Sequence, residues 1–417
     1  MNDSEAGPEP LATPEFEPTP ETPRPTLRQN LRALPRDAWI LYAGAFINRF
    51  GTFVLPFITL YLHERLGYSI PKAGLGIAAY GLGAIGAQGV GGVLADRLGR
   101  RNTIALSMFG GAALTLSLVW IHGLWPIVAV VLLLGFVAEL YRPASSALIA
   151  DLIPAERRVA AFSAYRLTLN VGWAFGLALG GLLAERSFNL LFVGDALTSG
   201  TFGVIALAAI PHGTRTSKHE EHHLASARSS ILADRGFLFF LAAVFLTAAV
   251  YMQNASTFAI HVRELGFPTK TYGFLQAMNG LLVVLLEFPI SAWTQHRPRT
   301  RVVAFGGLFV GLGFATLAIF HSVPGLMVFV VIWTFGEIVE SPSTSAFVAD
   351  RAPEHARGRY QGALGMMYAS AAVLGPLVGT GIYSRSPTAL WLGCGVVGIV
   401  IAGLAIEAGR HSTPSSR

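Results

Sequence analysis

The sequence predicts an all-α membrane protein in which twelve transmembrane helices form two pseudo-symmetric six-helix bundles. Composition is the first reason. Only 13% of the 417 residues are charged, while 53% are hydrophobic, which is about half the charge of a soluble domain. Length is the second. Almost every stretch of about 20 residues between Ala38 and Glu407 is apolar, enough to cross a hydrocarbon core of about 30 Å. The third is an internal repeat: residues 67–180 return, in fixed register, 199 positions later. Gly67 and Gly74 recur as Gly266 and Gly273, Gln88 as Glu287, and Asp96 as Gln295. Pro143, Asp151 and Pro154 recur as Pro342, Asp350 and Pro353, and Gly176 and Gly180 as Gly375 and Gly379. A constant offset means two homologous halves. In a membrane protein, such a duplication places a binding site between them.

In chain order, residues 1–37 hold eight prolines interspersed with Glu and Thr and no apolar signal-peptide region. Such a segment cannot bury a core and reads as a disordered cytoplasmic tail. The first bundle covers 38–210, with spans near 39–62, 73–95, 103–121, 126–149, 158–184 and 189–210. A polar linker, 211–235, carries His212, His219, His222 and His223, whose spacing fits no structural zinc site. The second bundle covers 236–408, with spans near 237–260, 272–294, 302–320, 325–348, 359–383 and 387–407, and a tail follows over 409–417. The 46 glycines suit closely packed membrane helices. Cys394 is the single cysteine, so neither a disulfide nor a thiol-ligated metal site is expected.

The net charge of +6 follows topology and does not point to nucleic acid. With the N-terminus inside, cytoplasmic segments hold 21 of the 30 Lys and Arg, and external loops hold 6. This bias sets both termini in the cytoplasm of a multi-pass plasma-membrane protein. The remaining three, Arg49, Arg142 and Arg166, fall inside spans.

Three motifs carry a resemblance. The turn after the second span reads Gly92-Val93-Leu94-Ala95-Asp96-Arg97-Leu98-Gly99-Arg100-Arg101, and it is similar to the signature loop of the major facilitator superfamily. That resemblance makes Gly92, Asp96, Arg97, Gly99, Arg100 and Arg101 a conformational latch. In it, Asp96 accepts hydrogen bonds from the N-terminus of helix eleven, where the helix dipole favours negative charge. The second-half counterpart, 295–301, keeps the basic residues but has Gln295 in place of the acid, so any latch is asymmetric. The fourth span, with Glu139, Tyr141, Arg142 and Pro143, resembles the helix-four motif of proton-coupled members, in which an intramembrane Arg is central. Gly172, Gly176 and Gly180, with Gly375 and Gly379, resemble the glycine motif of the exporting branch, although Leu177 stands where the second half has Pro376. Glycines four apart also allow close helix packing by themselves.

Coupling to protons needs groups that titrate inside the protein. No histidine lies well inside a span, which leaves the carboxylates: Glu139, Glu287, Glu337 and Glu340 are the proton-coupling candidates, with Asp195 ranked below them. Arg49, Arg142 and Arg166 are the interior cations, of which Arg142 and Arg49 are the charge partners. Glu337 and Glu340 share a helix face, where two close acids would share one proton. Asp195 reads as a packing or capping group. Asn48, Phe53, Gln88, Tyr141, Tyr165, Gln253, Asn279 and Tyr368 are candidates for the substrate cavity. Resemblance and residues together imply a monomeric secondary transporter of the drug:proton antiporter branch. It would export small amphipathic cations or zwitterions, powered by the proton gradient and without a cofactor. Sugar, peptide or metabolite transport, in either direction, is the alternative, and a non-transporting receptor a remote one. No nucleophile–base set or phosphate loop points to an enzyme.

Overall fold

A computed structural model describes residues 34–154, 157–211, 234–294, 297–352 and 357–411. The predicted tail over 1–33, the linker histidines over 212–233, Gln295, Pro353 and the last six residues lie outside the described residues.

The first half contains α1 (Arg36–Phe50), α2 (Val54–Leu60, continued by a π-turn over Tyr61–Arg65), α3 (Ile70–Leu98) and α4 (Arg100–Ser117). It continues with α5 (Leu124–Glu139), α6 (Tyr141–Leu152), α7 (Arg158–Arg186) and α8 (Phe188–Ala209). The second half contains α9 (Arg235–Tyr251), α10 (Thr257–Glu264), α11 (Thr269–Thr294), α12 (Arg299–Ala315), α13 (Val323–Arg351), α14 (Arg357–Tyr383) and α15 (Pro387–Arg410). The repeat is visible in the helix starts. Residues 36, 70, 100, 124, 158 and 188 begin helices, and so do 235, 269, 299, 323, 357 and 387, each 199 later. Gly67 and Gly266 hold φ of 71° and 86° in the turns before α3 and α11, a conformation that glycine adopts without a Cβ clash. This explains why the pair survives in both halves.

Polar side chains begin several helices by capping free amides. Asp234 accepts from the Phe237 amide at 3.0 Å, and Ser386 from that of Ala389 at 3.2 Å. The break between α1 and α2 is held by Asp195 of α8, whose Oδ2 accepts from the amides of Phe53 and Val54 at 3.1 and 3.2 Å.

Among the described residues, nine helical stretches are apolar and long enough to span a membrane, and α3 makes a tenth if its two bent segments count as one. The expected twelve is therefore not reached on this criterion. The physical reason is composition. α4 opens on Arg100 and Arg101, and α11 carries Lys270, Gln276, Asn279 and Glu287. Charges at the start of α4 and polar residues along α11, which lines the central cavity, lower the hydropathy of these two helices.

Contacts between the halves concentrate on α3–α14, α7–α11 and α2–α10. We call the face bearing Arg36 and Arg410 the termini side and the opposite one the far side. On the far side one apolar core joins both halves, with Phe53, Phe57 and Leu177 packed among Phe258, Tyr272 and Leu275. Backbones come close there: a Cβ on Gly273 would stand 2.6 Å from the Leu177 carbonyl and 2.9 Å from the Gly181 Cα. The ion pairs Arg263–Glu64 at 2.7 Å and Lys270–Glu185 at 3.5 Å cross the same face. Toward the termini side, Gly92 of α3 and Gly362 and Gly365 of α14 have open space where a Cβ would be.

Candidate substrate cavity

Between the halves lies a cavity of about 520 Å³, within the range usual for small-molecule sites. α1, α7, α11 and α13 supply its charged wall: Arg49, Arg166, Glu287 and Glu337, with Arg142 from α6. Arg49 stacks over Trp173, its guanidinium 4.4 Å from the ring centroid, an arrangement that holds a cation without a carboxylate. Arg142 is ion-paired with Glu139, three residues earlier, and Glu139 also accepts from the Tyr80 hydroxyl at 2.8 Å. Arg166 of α7 is ion-paired with Glu287 of α11, so this bond crosses the two halves. Glu337 takes neutral donors, the Asn279 amide at 2.9 Å and the Tyr251 hydroxyl at 3.4 Å. Asn279 also donates to Thr334 at 3.0 Å.

Of the predicted site residues, Glu287, Glu337, Arg49, Arg142 and Asn279 meet in this cavity. Glu139 lies behind it, lining a void of about 40 Å³ with Asn48 and Tyr141, room for little more than water. The remaining candidates lie elsewhere. Glu340 does not share the cavity with Glu337: it is buried, with its Cβ against Gly306 of α12. Three residues along a helix turn a side chain by about 60°, enough to move it from the cavity wall into a helix interface.

Phe53 is 2% exposed in the core that joins the halves. Asn48 donates to Ser199 at 3.0 Å, tying α1 to α8. Gln253 donates to the carbonyls of Ala249 and Gly375, both at 2.9 Å, and so mends the break between α9 and α10. Tyr141 and Tyr165 are buried in the core near the termini side. Gln88 and Tyr368 are exposed, and neither lines the cavity. Arg166, an interior cation in the sequence but not among the charge partners, also lines the cavity, as do Trp173 and Tyr251. His261, three residues from the end of the helical stretch 235–264, is 5% exposed, with its Nδ1 3.0 Å from the Tyr383 hydroxyl.

Of the residues expected to form a latch, Asp96 and Arg100 bond within the first half. Asp96 accepts from Arg100 at 2.6 Å, and Arg100 reaches Asp151 at 3.3 Å and donates to the Ala95 carbonyl at 2.8 Å. Asp96 itself is 54% exposed. The second half repeats the Arg–Asp part as Arg299–Asp350 at 3.6 Å. The glycines seat neighbouring helices: a Cβ on Gly176 would be 2.2 Å from the Phe50 carbonyl, and one on Gly379 1.8 Å from Gln253. Gly172 and Gly180 face α1 and α2, and Gly375 faces α9.

A charged cavity enclosed by apolar helices defines a membrane solute transporter. The chain belongs to the Major Facilitator Superfamily, whose sequence profile matches residues 41–376 and again 254–416. It is 28% identical over 349 residues to the uncharacterized MFS-type transporter YqjV of Bacillus subtilis, covering 82% of this chain and 85% of the relative. It is 28% identical to a Na(+), Li(+), K(+)/H(+) antiporter of Planococcus maritimus, over 87% of this chain and 92% of that protein. With the multidrug resistance protein MdtH of Escherichia coli it shares 24% identity, over 87% and 90%. Among solved structures, the nucleoside transporter NupG superposes with a TM-score of 0.79 at 16% identity, covering 89% of this chain and all of that one. A POT family transporter reaches 0.74 at 18% identity, over 91% and 97%. The protein is thus a multi-pass membrane transporter and not an enzyme.

Proposed function

We propose that the protein is a proton-coupled exporter of small amphipathic cations or zwitterions, working by alternating access. The observation that carries this reading is Glu337, a cavity carboxylate held by the neutral donors Asn279 and Tyr251. Such a carboxylate accepts either a proton or a cationic substrate, and competition between the two is the simplest form of exchange. Glu287 and Glu139 stay balanced by Arg166 and Arg142, so they set the field around Glu337 and keep secondary roles in proton movement. Arg49, over Trp173, offers the opposite charge for a zwitterion.

In this reading residues 38–210 and 236–408 are two six-helix bundles with twelve spans, joined by the 211–235 linker, and the chain works as a monomer. The excess of Lys and Arg places the termini in the cytoplasm. The far-side closure then makes the present conformation inward-facing, and Asp96, turned to its own half, awaits the outward-facing state. The multidrug relative supports the cargo class. The antiporter relative supports a second reading, exchange of alkali cations for protons at the same carboxylate.

The test is proton release from purified protein in weak buffer on adding tetraphenylphosphonium. Release by the wild type and none by Glu337→Gln is expected. Cation binding with no proton release, or equal release by the variant, would reject the coupling role. Release with sodium but not with the lipophilic cation would favour the second reading.

A further inference from the structure

Away from the central cavity, a second recess opens on the termini side, where α11 turns into α12. Its volume is about 420 Å³, and its walls include Trp293, Arg297, Arg301, Val302, Phe305 and Val339. The mouth is cationic and the floor apolar. The Arg297 guanidinium lies 4.4 Å from the centre of the Trp293 ring, and both residues are exposed, as are Arg301 and Phe305. Arg301, Phe305 and Phe309 are four apart on α12 and share a face. The rings of Phe305 and Phe309 are 4.7 Å apart, and Phe335 of α13 stands 5.3 Å from Phe309. Basic mouth and aromatic track together descend about 12 Å along the helix.

The fold does not require these residues. Arg299, the third basic residue of the turn, pairs with Asp350 as Arg100 pairs with Asp151. Arg297 and Arg301 correspond, 199 positions earlier, to Leu98 and Asn102; Trp293, Phe305 and Phe309 correspond to Leu94, Leu106 and Gly110. The acid of the first-half loop, Asp96, has become Gln295, which removes the carboxylate that would repel an anion. Two guanidiniums beside a Trp at a helix end, above an apolar track, match one molecule in layers: phosphate, interface, acyl chain.

We propose that this recess binds one anionic phospholipid, with its phosphate at Arg297 and Arg301 and an acyl chain along Phe305 and Phe309. A free phosphate would use the arginines alone and leave the track idle. The test is native mass spectrometry of the full chain in detergent, titrated with phosphatidylglycerol or phosphatidylcholine. At about 1 kcal/mol for each arginine, phosphatidylglycerol should bind roughly 30-fold more tightly than phosphatidylcholine. Arg297→Gln with Arg301→Gln should remove that preference, and Arg385→Gln on the far side should keep it. Phe305→Ala with Phe309→Ala should weaken phosphatidylglycerol with the charges intact. Equal affinity for the two lipids, or no loss in the arginine double variant, would overturn the proposal. So would displacement by inorganic phosphate at equal concentration, with the Phe variants unaffected, which would mark an anion site only.

Discussion

Asp234 fastens the start of the second half with four bonds. It caps α9 through the Phe237 amide, accepts from Nε and Nη2 of Arg351 at 2.8 and 2.5 Å, and accepts from Tyr360 at 3.4 Å. Burial raises its pKa, but Arg351, Phe237 and Tyr360 together hold it below the usual aspartate value. A depressed carboxylate stabilises the fold above its unfolded pKa, and that stability is lost as pH falls through the folded value. The thermal midpoint should therefore fall as pH drops below about 4, while Asp234→Asn lowers the stability at neutral pH by about 1–3 kcal/mol and flattens the acid dependence. An unchanged midpoint in the variant would show the cluster to be inert. The Arg166–Glu287 pair makes a second prediction. Single Gln variants should each destabilise more than their share of the double variant, with a coupling of about 0.5–3 kcal/mol in denaturant midpoints. Strict additivity would contradict the bond.

α11 shows how much of an element is legible in sequence and where legibility stops. Its start at Thr269 and the glycine turn before it follow from the repeat, since Gly67 and Ile70 do the same for α3. Glu287 stands out because its counterpart is the neutral Gln88. Its partner could not be read, because Arg166 lies 121 positions away and meets it only when α7 and α11 pack. Polar residues misled for a related reason. Gln253 and Asn48 look like cavity groups, but a broken helix leaves backbone atoms unpaired, and these side chains serve the breaks and the crossings around them. Rotation along α13 alone separates Glu337, in the cavity, from Glu340, against Gly306. α11 also carries a test of the far-side closure. Gly273→Val would push its side chain into the Leu177 carbonyl and Gly181, so disulfide formation between Glu185→Cys and Lys270→Cys should fall several-fold. Undiminished cross-linking would mean that the far-side contact is not set by that glycine.

At the scale of the whole molecule, the duplicated halves, the apolar helices and the charged centre were all anticipated from composition and repeat. The tertiary arrangement adds which face is closed and that Glu287 and Glu337 are the carboxylates lining the cavity. Far-side packing joins Phe53, Phe57 and Leu177 to Phe258 and Tyr272, so transport requires those surfaces to part while the termini side closes. In the proposed cycle this would expose Glu337 alternately to the two compartments, and exchange would follow from its two possible occupants.

The central claim is tested most directly in everted membrane vesicles with an acid lumen, by recording luminal pH as lipophilic cations are added. The account predicts substrate-triggered alkalinisation that is lost, by tenfold or more (about 1.4 kcal/mol or greater), in Glu337→Gln and retained in Glu340→Gln. Undiminished alkalinisation in Glu337→Gln, or a lumen whose pH never responds to cations, would contradict it.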